Sequence, residues 1–161
     1  MMATKREIDN IVEQYGNTLY KLAMHHVHNH SIAEDIVQDT FMKYLYKAPE
    51  FNDVQHEKAW LLRVASQLCK DYLKHWWLKK RTHIAYEELA IEGDSETYEL
   101  LEVVRQLPFH QRNAVYLYYY EDMSVREIAD IYHVKESTVS SWLFRARKKL
   151  KELLKGEWDH E

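Results

Sequence analysis

The chain has 161 residues, 46% of them apolar, a net charge of −4, and only three glycines, two prolines and one cysteine. That length suits one or two small domains, and the scarcity of helix breakers favours helices over an all-β fold or disorder. The single Cys69 excludes an intrachain disulfide framework and fits a reducing compartment.

The charge is unevenly spread. Between Glu57 and Arg81 seven basic residues face two acidic ones; between Thr82 and Glu102 there are seven acidic residues and no Lys or Arg; from Arg145 to Lys155 basic residues dominate again. Such blocks predict two basic surfaces joined by an acidic connector. The N-terminal segment "MMATKREIDNIVEQ" has no apolar signal core, and no run nears the ~20 apolar residues that span a bilayer, so a cytoplasmic location without direct membrane insertion is expected.

Taken in chain order, Ile8, Ile11, Val12, Tyr15, Leu19, Leu22 and Ala23 recur at helical spacing and predict a first long helix. Ser31 with Glu34 reads as a capping box opening a second helix, with Ile36, Val37, Phe41 and Leu45 on its apolar side and its end before Pro49. A loop, "PEFNDVQH", leads to a third helix from about Glu57 to Arg81 that buries Leu61, Ala65, Leu68, Tyr72 and Trp76. Arg63, Gln67, Lys70 and Lys74 share a stripe on it, spaced by four, three and four. The segment around Gly93 lacks periodicity and reads as a linker, with Ser95 as cap for a helix holding Leu101, Val104 and Leu107. Pro108 interrupts that helix, a helix from Phe109 to about Glu121 follows, and Ser124 with Glu127 forms a further capping box.

"SVREIADIYHVKESTVSSWLF" has the spacing of a DNA-binding helix-turn-helix. Ala129 is the small residue at the helix crossing, Ile128, Tyr132, Val134, Val139 and Leu143 are packing positions, and His133 stands in the turn where glycine is common. The last helix buries Val139, Leu143, Ala146, Leu150 and Leu153, leaving Ser137, Ser141, Phe144, Arg145 and Lys148 outward. Arg145 suits the O6 and N7 of guanine. Arg147, Lys148, Lys149 and Lys151 suit phosphates. A solvated basic face is the alternative reading of the same charges. Trp142 reads as a partly buried ring against Tyr132, with a DNA-facing ring as the alternative.

In the amino-terminal half, "DIVQDTF" and "WLLRVA", followed in order by "TVSSWLFRARKKL", resemble the extracytoplasmic-function (ECF) sigma factors of bacterial RNA polymerase over nearly the whole chain. The resemblance implies an all-α fold: sigma region 2 at 1–81, a flexible acidic linker at 82–96, and sigma region 4, with the helix-turn-helix, at 97–161. It implies promoter-specific transcription initiation, of a stress-response regulon held in check by an anti-sigma factor that could keep the protein at the membrane. Region 2 would bind the polymerase clamp helices through Asp35, Gln38, Asp39 and Met42. It would melt the minus-ten element with Phe51, Asn52 and Asp53 as base-pocket candidates and Arg63, Gln67, Lys70 and Lys74 along the strand. Region 4 would bind the polymerase flap and read the minus-thirty-five element of promoter DNA with Lys135, Ser137, Thr138, Ser141, Phe144, Arg145, Arg147 and Lys148.

The chain departs from the family pattern at Ser66 and Gln67, where arginine and asparagine are common, at Lys135, where a capping residue is common, and at Ser140 and Trp142, where basic residues are common. No cofactor, metal or enzymatic motif is expected. The "HHVHNH" run suggests exposed histidines, with no carboxylate or cysteine to complete a metal site.

Overall fold

The computed structural model describes residues 5–79 and 103–158. The expected linker at 82–96, the Ser95 cap, Leu101 and the side chain of Trp76 lie outside the described residues. The chain divides into two compact units, 1–89 and 90–161. All regular structure among the described residues is helical.

The first unit holds three helices, each packed on the other two: α1 (Lys5–Val27), α2 (His30–Lys47) and α3 (Val54–Lys79). On α1, Ile11, Tyr15, Leu19, Leu22 and Ala23 are buried at the expected spacing, while Ile8 is half-buried and Val12 is exposed. On α2 the buried residues are Ala33, Ile36 and Thr40. The Thr40 hydroxyl donates to the Ile36 carbonyl at 2.7 Å, which satisfies a polar group in the core. On α3 the buried stripe runs through Leu61, Leu62, Ala65, Ser66 and Cys69. Leu68 and Tyr72 are only half-buried, so the face is turned relative to the expected one. Leu61 and Ala65 are buried as expected; with Ala65, the small side chains of Ser66 and Cys69 fill the seam where Leu68 was expected.

Both internal helix starts differ from expectation. α2 begins before Ser31: Asn29 is the cap, its Oδ1 accepting the Ile32 N–H at 3.1 Å. His28 takes a left-handed φ of 52°, which turns the chain out of α1 within two residues and makes Asn29 the first residue able to cap. α3 begins at Val54, three residues earlier than expected, because Asp53 Oδ1 accepts the His56 N–H at 2.7 Å. α2 ends at Lys47, and Ala48, before Pro49, is extended (φ −62°, ψ 132°).

The second unit holds a helical turn at 103–105, then α4 (Phe109–Tyr119), α5 (Val125–Tyr132) and α6 (Glu136–Trp158). Its core gathers Val103, Val104 and Leu107 with Leu117, Met123, Ile128, Ile131, Val139, Leu143 and Ala146. Each fully buried Leu or Ile contributes about 1.5–3 kcal/mol. The box at Ser124 is complete: its Oγ accepts the Glu127 N–H at 3.1 Å, and its own N–H donates to Glu127 Oε1 at 3.3 Å.

Candidate nucleic-acid and docking surfaces

On α2 the exposed residues Asp35, Gln38, Asp39 and Met42 lie opposite the buried Ala33, Ile36 and Thr40. The sequence reading missed Tyr46, which is 62% exposed and extends the Asp35–Asp39–Met42 line by one more helical turn. Its place in that register was the available signal. The stripe is acidic at one end and apolar at the other, a composition suited to a protein partner carrying both basic and apolar groups.

The loop after α2 is more constrained than a free pocket. Phe51 is half-buried in a ring cluster, 6.0 Å from Tyr44, 5.9 Å from Trp60 and 5.2 Å from His56 between centroids. The Asn52 N–H donates to His56 Nδ1 at 3.2 Å, which requires that nitrogen to be unprotonated. The Asp53 carboxylate is occupied in capping α3. Trp60 is half-buried at the cluster's edge.

Beneath the cluster, Tyr44 Oη donates to Glu57 Oε2 at 2.9 Å. Burial holds the Tyr44 phenol well above its usual pKa, and the Glu57 hydrogen bond and charge push it the same way. Tyr15 on α1 is raised too, by burial first and then by Glu57. Glu57 is thus a polar pin between the start of α3 and α2. Further along α3, Arg63, Gln67 and Lys74 are exposed and Lys70 is half-buried, so the stripe faces outward. The Gln67 amide donates to Asp71 Oδ1 at 3.0 Å, placing one carboxylate beside the basic line.

In the second unit, α5 and α6 form the helix-turn-helix. His133 takes the left-handed conformation (φ 53°, ψ 44°). Its N–H donates to Asp130 O at 3.4 Å, and the Val134 N–H donates to Ala129 O at 3.0 Å. This is the Schellman closure of a helix end. Ala129 is buried at the crossing. On α6, Val139, Leu143 and Ala146 are buried, while Leu150 and Leu153 are half-buried. Lys135, Ser137, Ser141, Arg145 and Lys148 are exposed, Thr138 is half-buried, and Phe144 is 66% exposed. Phe144 thus shares its face of the helix with Ser137, Ser141 and Arg145.

Two side chains near α6 are held in ways that the spacing did not show. Trp142 is half-buried, stacked on His110 at 4.9 Å and 9° and edge-on to Tyr132 at 5.6 Å and 89°. The ring thus packs inward, and His110 is the partner the sequence reading missed. Arg147 donates its Nε–H to Tyr119 Oη at 2.8 Å, and its guanidinium lies 5.5 Å from the Tyr118 ring centroid and 5.7 Å from that of Tyr119.

The histidine run is not an exposed cluster. His25 and His26 are buried at the end of α1 and meet edge to face at 5.1 Å, because the apolar side of α1 continues through its last turn. His30 instead pairs with Tyr20, ring against ring and Nδ1 to hydroxyl. Among the described residues no three His, Cys, Asp or Glu side chains converge as metal ligands, and no helix is long and apolar enough to cross a membrane.

Residues 11–78 match the family model for sigma-70 region 2, and residues 97–150 match that for sigma-70 region 4. The chain is 31% identical over 157 residues to the ECF RNA polymerase sigma factor SigM of Bacillus subtilis, covering 91% of this chain and 94% of that one. It is 26% identical over 151 residues to the RNA polymerase sigma factor SigV of the same organism, covering 90% and 89%. Among solved structures it is similar to the sigma factor RpoE in complex with the anti-sigma factor NepR from Bartonella quintana. The TM-score is 0.73 at 25% identity, over 93% of this chain and 98% of that one.

Proposed function

The chain belongs to the extracytoplasmic-function sigma factors of RNA polymerase, and on that premise we propose how its surfaces divide the work of promoter-specific transcription initiation. The first unit docks on the polymerase clamp helices through Asp35, Gln38, Asp39 and Met42, with Tyr46 as the last turn of the same stripe. Melted minus-ten DNA runs along Arg63, Gln67, Lys70 and Lys74. Positive charge tracks the strand there, while extruded bases meet the aromatic rim at Phe51 and the exposed side chain of Asn52. Asp53 acts indirectly, by fixing the loop through its cap.

The second unit reads duplex minus-thirty-five DNA. The observation that carries this reading is the exposed face of α6, where Ser137, Ser141, Phe144, Arg145 and Lys148 stand opposite the buried Val139, Leu143 and Ala146. A helix held this way offers its early residues to base edges and its flanking cations to phosphates. Lys135 and Thr138 lie at its start, within reach of the backbone. We assign residues 1–81 and 97–161 to these two tasks, with the polymerase flap as the second unit's protein contact. An anti-sigma factor is the natural regulator, as a structurally similar sigma factor is held by one, and a stress-response regulon in the cytoplasm fits that control.

Run-off transcription with core polymerase and a promoter library, with and without the protein, tests the reading. Transcripts that start downstream of one shared pair of elements only when the protein is added are the expected result. Strong sequence-specific duplex binding by the full chain alone, with no transcripts, would instead identify a regulator of another kind.

A further inference from the structure

Arg147 sits on the basic run of α6, where spacing alone suggests a phosphate contact, yet its guanidinium is already engaged. It gives Nε–H to Tyr119 Oη at 2.8 Å, and its guanidinium carbon lies 5.5 and 5.7 Å from the Tyr118 and Tyr119 ring centroids. Both tyrosines belong to the last turn of α4, and Tyr119 is half exposed at 52%. We infer that Arg147 is a positioning residue that clamps the recognition helix α6 to α4, and not a phosphate ligand; this rests on α6 being the minus-thirty-five reader.

The clamp falls where α6 needs it. Up to Ala146 the helix is fixed by fully buried Val139, Leu143 and Ala146; from Leu150 onward its apolar residues are only half-buried. Successive residues on a helix are turned by about 100°, so Arg147 projects from the flank between the buried seam and the exposed Phe144 and Lys148. A planar guanidinium that both lies against aromatic rings and donates a directed hydrogen bond resists roll about the helix axis, which a flexible ammonium does not. Roll would swing Ser137, Ser141, Phe144 and Arg145 across the base edges, so the clamp acts on recognition through those side chains. α4 is itself tied to α5: the Met123 N–H donates to Leu117 O at 3.0 Å, just before the Ser124 capping box. The contact therefore closes a frame around the helix-turn-helix.

Holoenzyme binding to promoter DNA over a salt series distinguishes clamp from phosphate contact. The variants are Arg147→Lys, Arg147→Gln, Tyr119→Phe, and Tyr119→Phe combined with each. A clamp predicts that Arg147→Lys and Arg147→Gln lose a similar factor, about three- to tenfold, in preference for the cognate minus-thirty-five element over a scrambled one. The salt slope stays unchanged, Tyr119→Phe reproduces part of the loss, and the double variants lose no more than the single Arg147 variants. A phosphate contact predicts near wild-type behaviour for Arg147→Lys and a slope lower by about 0.9 for Arg147→Gln; that result overturns the clamp, as does a silent Tyr119→Phe. If the wild-type holoenzyme ignores the minus-thirty-five element, the reading of α6 fails instead. The clamp is then judged on the thermal stability of the full chain, where absence of coupling between Arg147→Lys and Tyr119→Phe overturns it.

Discussion

The two units build their helical cores by different means. In the first, helices of 23, 18 and 26 residues make long continuous seams, and the outward faces are the reverse of those seams. In the second, helices of 11 and 8 residues are too short to hold position by seam alone. Turn chemistry does the positioning there: a complete capping box at Ser124, left-handed residues at Asp122 and His133, and side-chain ties such as Arg147 on Tyr119. Long helices make a function-bearing face follow from periodicity; short ones make it depend on how their ends are closed.

Core truncation should separate the two units most clearly. Leu117→Ala removes a fully buried side chain of the second unit and is expected to cost about 2–5 kcal/mol. Leu22→Ala should do the same in the first unit. Native-state hydrogen exchange should show each substitution accelerating the amides of its own unit and sparing those of the other. Acceleration spread evenly over both would mean that the units unfold as one.

Reversal of a face should act on binding without touching stability. Asp39→Lys on the exposed stripe of α2 is expected to weaken capture by core polymerase about tenfold, with the helical circular dichroism unchanged. Equal capture of variant and wild type would remove α2 from the docking assignment.

The polar pin of the first unit predicts a smaller effect and a pH dependence. Tyr44→Phe keeps the ring among Phe51 and Trp60 but deletes the hydrogen bond to Glu57, for a loss of about 1 kcal/mol at neutral pH. Because folding raises the Tyr44 pKa above the unfolded value near 10, its contribution is complete below about pH 10 and is lost as the pH rises toward the folded value. Urea titrations from pH 8 to 11 should show wild type losing stability in alkali more steeply than the variant.

The smallest expected effect is a gain. His133→Gly removes a side chain from a left-handed turn and should stabilise the second unit by up to about 1 kcal/mol, raising its melting temperature by a few degrees. Asp122→Gly, where Asp tolerates this conformation better, should give less. A fall in melting temperature for His133→Gly would show that the ring's own contacts outweigh the backbone strain.

Much of the fold was legible in local spacing. The spacing of Ile11, Tyr15, Leu19 and Leu22, the Ser124–Glu127 box, and the order Ala129, His133, Val139, Leu143 were enough for an all-helical chain ending in a helix-turn-helix, because each rests on local geometry with a fixed period. The same periodicity placed Asp35 and Asp39 outward. What it could not give was which of two residues, one position apart, meets a neighbouring helix: Cys69 is buried where Leu68 was expected. Nor could it show that Asn29, not Ser31, caps α2, since that depends on where the chain turns at His28. Glu57 with Tyr44, Trp142 with His110, and Arg147 with Tyr119 lie 13, 32 and 28 residues apart in the chain. No periodic pattern links such pairs, because they meet only where helices cross. Tertiary packing alone decided that two exposed-looking histidines are core residues and that one arginine of a basic run is held by tyrosine.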